Sequence, residues 1–435
     1  MIKRYSVSMI LLVSTSLLAV ACSAGGPTGS IAPSSVAASG STATATASAP
    51  AGPSLSAADA WAADLERLDK MVRLSHVSPF GIHSEAEWVA KLAEIRPKLA
   101  SANPDEQFAL VASLVGLLDT HSGILPNGGG HPYEVLFYKF SDGWFTVAAK
   151  DKSLIGSRLI SISGHRVDEV ESTLRPLIPH DNEMGFLDGV EGAFSYVEYL
   201  HGSGIVADTA KPGYVLERPD ATRVTVDFPV VDERTWEDEF HILGDLVGGA
   251  PEAVARRGEL VWTRLDQARK VFLVSVNDYG DMSAAATALT AALDSGKADR
   301  VLLDIRYLRG GSGDFEIFNT IKNDPRVNRK GGLTVLIGRE NVSIATLIDY
   351  EFDVHTNALL VGEPTPARAD NFRCDCLDID LKHSGIVVTI PTEMSHNGDV
   401  RPEVEPDIAV PLSSTDFFAG RDPVLDAALD GLIAP

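Results

Sequence analysis

From about Leu260 onward, short apolar runs alternate with helical stretches, and no other feature of the sequence restricts the fold as tightly. Val271 to Val276, Arg300 to Arg306, Leu333 to Gly338, Ala358 to Gly362 and Gly385 to Ile390 read as strands. Helices are expected from Ser283 to Leu293 and from about Ser343 to Phe352. Such alternation implies an α/β layer structure, here a mixed sheet with flanking helices.

Two regions of different character precede it. From Ala57 to about Leu125 the apolar spacing is helical: Trp61, Leu65, Leu68 and Val72 mark one face, and Trp88, Leu92, Ile95 and Leu99 another. Ser84 and Glu87 make a capping box for the second helix. Asn103 and Pro104 open a third helix, which the pattern carries into Asp119-Thr-His121-Ser122-Gly123. From Tyr133 to about Val230 short strands dominate, with a hairpin across Pro219-Asp220 and a strand–turn–helix from Leu159 through Gly164 to Val170. The divisions expected are a signal over 1–21, a linker over 22–56, a helical domain over 57–130, a β-rich domain over 131–235 and the α/β core over 236–435.

The first residues bear on compartment. Lys3 and Arg4 precede an apolar stretch from Met9 to Val20 that is too short to span a bilayer comfortably, and Ala19-Val-Ala-Cys22 closes it. This looks like a lipoprotein signal in which Cys22 is lipidated; the alternative is an ordinary cleaved signal. Ser23 to Ser56 is nearly all Ala, Ser, Thr, Gly and Pro, without a charge, and cannot bury enough apolar surface to order itself. Roughly 380 residues remain for folding, enough for a large core. A net charge of −23 argues against nucleic acid and against flat adsorption to anionic lipid. Beyond Cys22 there are only Cys374 and Cys376, which close a small disulfide or remain thiols; two thiols make a poor metal site, and neither metal nor cofactor is expected.

Three places carry chemistry-bearing residues. The strand ending at Gly338 delivers Ser343 to a helix start, where free N–H groups and the helix dipole favour a developing oxyanion. Serine is equally at home there as a plain N-cap, and the local sequence favours that reading. Asp304 to Gly313 ends a buried strand in glycine-rich backbone, either a turn or a place where backbone approaches substrate. His121, beside Ser122, is a suitable base for a serine, although a histidine at a helix end is more often a dipole partner.

In order along the chain these segments resemble the C-terminal processing (tail-specific) and tricorn-type serine peptidase family. Leu117 to Ser122 is similar to the family's Leu-Leu-Gly-Asp-Gly-His-Thr-Ser; Leu159 to Gly164 to its Val-Leu-Ala-Ile-Asn-Gly; Asp304 to Gly311 to its Asp-Leu-Arg-x-Asn-x-Gly-Gly. Gly338 to Ala345 stands where the family has Gly-Arg-x-Thr-Phe-Ser-Ser-Ala, and Leu360 to Thr365, Glu405 to Ile408 and Ala419 to Leu425 continue the likeness. The resemblance implies Ser343 as nucleophile, with Gly310 or Gly311 and the Ile344 N–H as oxyanion hole. One branch of the family places a lysine base where Arg368 stands, and arginine cannot deprotonate at neutral pH. The tricorn-like branch uses a histidine with a serine beside it and a distant acid, which makes His121 the base, Ser122 its neighbour, and Asp399 or Glu403 the candidate acid. The implied function is a membrane-anchored or secreted peptidase acting on peptide or protein. The competing reading is a non-catalytic binder on the same scaffold, since Leu308 and Ile344 depart from the motifs.

Overall fold

Three helices begin the part of the chain that the computed structural model describes, namely residues 55–233, 250–370, 372–373, 375–395 and 397–431. The signal, Cys22, most of the linker and Cys374 lie outside these residues. Helix α1 (Ala57–Ser75), α2 (Glu85–Leu99) and α3 (Pro104–Val115) bury the faces their spacing marks, including Trp61, Leu65, Leu68, Trp88, Ile95 and Phe108. Ser84 and Glu87 cap α2 reciprocally, and Asn103 with Glu106 does the same for α3, with Pro104 in its first turn. The third helix stops at Val115, short of the expected end, so Asp119 to Ser122 forms a turn of its own. The reading of His121 as a partner of that helix's dipole therefore fails, because the effect is confined to the last turn.

Strand β1 (Gly123–Leu125) follows, then β2 (Val135–Phe140), β3 (Gly143–Ala149), β4 (Arg158–Ile162), β5 (His165–Arg166), β6 (Tyr214–Glu217) and β7 (Arg223–Val226). These pair in the order β2-β3-β4-β6-β7 with β5 folded back on β4, and β6 and β7 make the expected hairpin. The same region carries α4 (Val167–Leu174), α5 (Glu183–Ala193) and α6 (Val197–Gly202). The sequence reading anticipated α4 only. Helix α5 contains Gly185, Gly189 and Gly192, poor helix formers. Tertiary contact demands two of them: a Cβ on Gly185 would stand 2.4 Å from the Pro366 carbonyl oxygen, and one on Gly189 would stand 2.6 Å from Ile178 Cγ2. One apolar cluster joins α1–α3 to this sheet, from Trp61 and Phe108 to Tyr133 and Tyr214.

The remainder holds α7 (Glu252–Ala255), β8 (Val261–Asp266), β9 (Val271–Val276), α8 (Ser283–Asp294), β10 (Arg300–Asp304), α9 (Glu316–Asn323), β11 (Leu333–Ile337), α10 (Ile344–His355) and β12 (Leu359–Gly362). Next come β13 (Phe372–Arg373), β14 (Leu377–Asp380), β15 (Val387–Ile390), β16 (Glu393–Met394), β17 (Ile408–Ala409), α11 (Ser414–Phe418) and α12 (Pro423–Gly431). The main sheet runs β17-β12-β11-β10-β9-β8; β8 is antiparallel to β9 and the other pairings are parallel. It is the mixed sheet that the sequence predicts. Alternate residues of its strands face opposite ways: Val274, Leu303 and Val335 pack under α8–α10, while Leu273, Leu302 and Leu336 meet Val424 and Ala428 of α12. Burial on both faces is why these strands read as unbroken apolar runs. Separately, β15 pairs with both β14 and β1, which brings Gly123 and the His121 turn onto the C-terminal part of the chain.

Candidate active site

Parallel strands β10 and β11 end side by side, so the loops that follow them lie together at the C-terminal edge of the sheet, where α/β folds place their sites. After β11 the chain turns through Gly338 to Val342 and enters α10 at Ser343. Ser343 sits at the N-cap position with φ 63° and ψ −125°, a conformation costly for a residue with a Cβ, and its side chain makes no capping hydrogen bond. The N-cap reading of Ser343 therefore holds for its position but not for its chemistry. Ile344 is the first residue of α10.

The neighbouring loop supplies the glycines. A Cβ on Gly310 would lie 2.7 Å from Ser343 Cβ and 3.3 Å from its Oγ, so only glycine allows this approach. Gly311 faces elsewhere, its Cβ position 2.8 Å from the Tyr279 ring. Asn341 bolts the two loops together. Its carbonyl oxygen accepts from the Gly338 N–H (2.7 Å), and its amide donates to the carbonyls of Ile305 (2.5 Å) and Leu308 (2.9 Å).

Buried charges extend this framework. Glu340 accepts from Arg257 and from Arg309 (3.0 Å), and Arg309 also spans both carboxylate oxygens of Asp188 on α5 at 2.7 Å each. Arg339 binds Glu363 (2.6 Å), Glu191 (3.3 Å) and the Lys139 carbonyl (3.0 Å). Burial by itself pushes Glu340 up, but the cations Arg257 and Arg309 outweigh it and hold this carboxylate below its ordinary range. Asp188 goes the other way: burial raises it and Arg309 only partly compensates. Such pairs add little net stability, since desolvation offsets the attraction, but they fix the relative placement of the loops and α5.

His121 lies in the turn between α3 and β1 and is 5 % exposed. Its N–H donates to Asp119 Oδ1 (2.9 Å), and Thr120 Oγ1 donates to the Pro366 carbonyl (3.0 Å) just beyond β12, the strand beside β11. The turn is thus moored to the sheet edge that carries Ser343. Asp181 accepts from the N–H groups of Thr120 (3.1 Å) and Arg368 (3.0 Å). Burial pushes Asp181 up, and the charge of Asp119 pushes it further. Burial pushes His121 down to about 4; Asp119 opposes that shift and His76 adds to it. Near neutrality the imidazole is uncharged and able to take a proton.

The structure brings Ser343 together with Gly310, and His121 with Ser122, Asp119 and His76. Of the two acids singled out in the sequence, Asp399 gives both carboxylate oxygens to Arg401, which also holds Asp353 of α10. Glu403, raised by burial and then by Glu405, precedes Val404, whose N–H donates to Thr365 Oγ1 (3.0 Å). Arg368 Nε stands 3.3 Å from Asp370. Cys376 is disulfide-bonded. No group of three or more potential metal ligands occurs among the described residues. Sequence reasoning missed Asn341, Asp188, Asp181 and His76; none has a local signature, because each acts on partners distant in the chain.

A small recess opens between α5 and the His121 turn, with Thr120, Ile124, Ile178, Asp188, Tyr196 and Tyr199 in its walls. It runs from the residue preceding His121 to the carboxylate that holds Arg309.

No protein-family model matches the sequence, and no curated protein matches it. Solved structures do. The structure of mature CPAF complexed with lactacystin superposes with a TM-score of 0.61 at 14 % identity, over 86 % of this chain and 98 % of that one. Mature CPAF alone gives 0.58 at 15 % identity, over 86 % and 96 %. At that identity the likeness is one of fold, and it spans nearly the whole of the described chain.

Proposed function

We propose that this chain is a serine peptidase of the C-terminal processing and tricorn-type family, with Ser343 as nucleophile and His121 as general base. The observation that carries the reading is the conformation of Ser343. A serine at a helix start normally caps the helix; this one is held in a strained backbone, makes no capping bond, and stands against a glycine at a distance no side chain would permit. Strain of that kind persists where surrounding structure imposes it, and here Asn341 and the buried arginines do so.

In the proposed reaction Ser343 Oγ attacks the peptide carbonyl as His121 takes its proton. The oxyanion is received by N–H groups of the Gly310 loop and the start of α10. His121 returns the proton to the leaving amine, and water then hydrolyses the acyl-enzyme by the same base. A lysine base is not available at Arg368. The fold shared with CPAF supports the reading, and lactacystin, the compound in the CPAF complex, is a natural competitor to try. We also propose that the chain is exported and held to the membrane by lipid on Cys22, on the strength of its N-terminal sequence. Among the described residues no helix is long and apolar enough to cross a membrane.

A fluorophosphonate probe tests the enzyme: the wild type should label, and labelling should vanish in Ser343→Ala. A folded wild type that takes no label refutes the peptidase and favours a binder. Palmitate incorporation that survives Cys22→Ala refutes the anchor.

A further inference from the structure

The acid that accompanies a catalytic histidine is sought in the sequence near Asp399 and Glu403, yet a different carboxylate stands beside His121. Asp119 is buried, with its side chain 2 % exposed, and meets a different residue at each oxygen. Oδ1 takes the His121 backbone N–H (2.9 Å), and Oδ2 lies 2.8 Å from Nε2 of His76, whose side chain has no exposure. Ser122 Oγ is 3.4 Å from the same His76 nitrogen, and the Ser122 N–H donates to the Asp119 carbonyl (2.9 Å).

The proton on His76 can be placed from its neighbours. The Ser78 N–H donates to Nδ1 (3.0 Å), so that nitrogen carries a lone pair. The ring hydrogen is then on Nε2, on the side of Asp119 Oδ2 and Ser122 Oγ. His76 is the C-cap of α1, fastened by its own N–H to the Val72 carbonyl (3.1 Å), and the adjacent Val77 N–H donates to the Pro391 carbonyl (3.2 Å). Asp119 is thereby fixed from a rigid helix end, far from its own turn in sequence.

A buried carboxyl group fixed in place acts through its field on the groups packed around it. Asp181 behaves as though it meets that field, since Asp119 pushes its carboxyl up after burial does. The groups facing His121 and Asp119 are His76 from the end of α1, Ser122 from the same turn, Asp181 from the segment before α5, and Arg368 with Asp370 from the segment after β12. Arg368 presents its backbone N–H to Asp181 and its guanidinium to Asp370.

We propose that Asp119, clamped by His76, is the positioning residue that stabilises the imidazolium of His121 as it forms. The proposal rests on the reading of His121 as a general base. It assigns to Asp119 the work expected of Asp399 or Glu403, through the charge of its carboxylate and its bond to the His121 backbone. The proton stays on His121, and no proton passes to Asp119.

The test uses the full chain and two readouts. In the first, the rate of fluorophosphonate labelling is followed from about pH 3 to about pH 9 in wild type, Asp119→Asn, His76→Gln and His76→Phe. Loss of a buried opposite charge at close range lowers the proton affinity of a histidine by about tenfold or more. Asp119→Asn should therefore label at least about tenfold more slowly at neutral pH, with its acid limb displaced to lower pH. His76→Gln, which keeps a donor near the position of Nε2, should retain most of the rate; His76→Phe, which leaves Asp119 without it, should not. In the second, the His121 imidazole is titrated by NMR, which needs no catalysis. A folded Asp119→Asn with an unmoved His121 titration and an unmoved acid limb overturns the proposal. So does equal labelling by the two His76 variants. If wild type takes no label yet its His121 titration shifts in Asp119→Asn, the peptidase reading fails while the charge coupling stands. A merely structural role would lower thermal stability in the variants without moving either pH profile.

Discussion

Replacing Asn341 by alanine offers a stringent test of how the site is built. The side chain has no solvent exposure and makes three hydrogen bonds, one to the Gly338 N–H and two to the carbonyls of Ile305 and Leu308. Each such bond contributes about 1 kcal/mol net, and a buried partner left without one costs about 1–3 kcal/mol. The two carbonyls retain part of their satisfaction by small shifts, so the loss should be about 4 kcal/mol. For a large domain this lowers the melting temperature by about 10 °C and leaves the chain folded at 25 °C. The chemical effect should exceed the thermal one. Asn341 joins the loop carrying Ser343 to the loop carrying Gly310, and a 1 Å displacement of a reacting group costs about 100-fold in rate. Differential scanning calorimetry and the labelling rate of Asn341→Ala measure the two effects independently. A melting temperature within about 2 °C of wild type, with labelling within about twofold, would refute the idea that this side chain sets the spacing of the loops.

Three further outcomes are expected. Gly310→Ala, whose new Cβ would lie 2.7 Å from Ser343 Cβ, should label about 100-fold more slowly while keeping its circular dichroism spectrum; normal labelling would mean that Gly310 does not border the reacting atoms. His121 titrates in the folded state at about 4, below its unfolded value of about 6.5, so the unfolded chain binds the extra proton between those values. Stability is then lost as pH falls from about 6.5 to about 4, by roughly 3 kcal/mol from this group, and urea midpoints should depend less on pH in His121→Gln than in wild type. Asp188→Ala leaves the buried Arg309 short of a bidentate partner and should cost about 3–5 kcal/mol by urea unfolding; a loss under about 1 kcal/mol would show that the pair is solvated.

Much of the α/β layer was legible because its signals are local. Val271–Val276 and Leu333–Ile337 are apolar runs long enough to cross a sheet and too short for helices, and the caps at Ser84 and Asn103 announce their helices within a few residues. Strand β8 escaped notice because Val261–Asp266 is an edge strand with polar residues on its open side. Helix α5 escaped for a different reason: its glycines argue against a helix in isolation and become intelligible only against Pro366 and Ile178. The end of α3 was overrun because apolar spacing continues through Leu118, although the backbone leaves the helix at Gly116.

The sequence by itself determined where strands and helices form in the core, that a serine arrives at a helix start after a buried strand, and that arginine rather than lysine stands at position 368. Those properties follow from spacing along the chain and from the chemistry of single residues. Only the tertiary structure decided whether Ser343 caps its helix, which of two glycines lies against it, and which carboxylate stands beside His121. Each of these depends on bringing a remote segment to a buried place: residue 310 to 343, 76 to 119, 366 to 120. Burial makes such meetings energetically decisive, because a desolvated polar group must find its partner wherever the fold supplies one. Spacing along a chain carries no record of that.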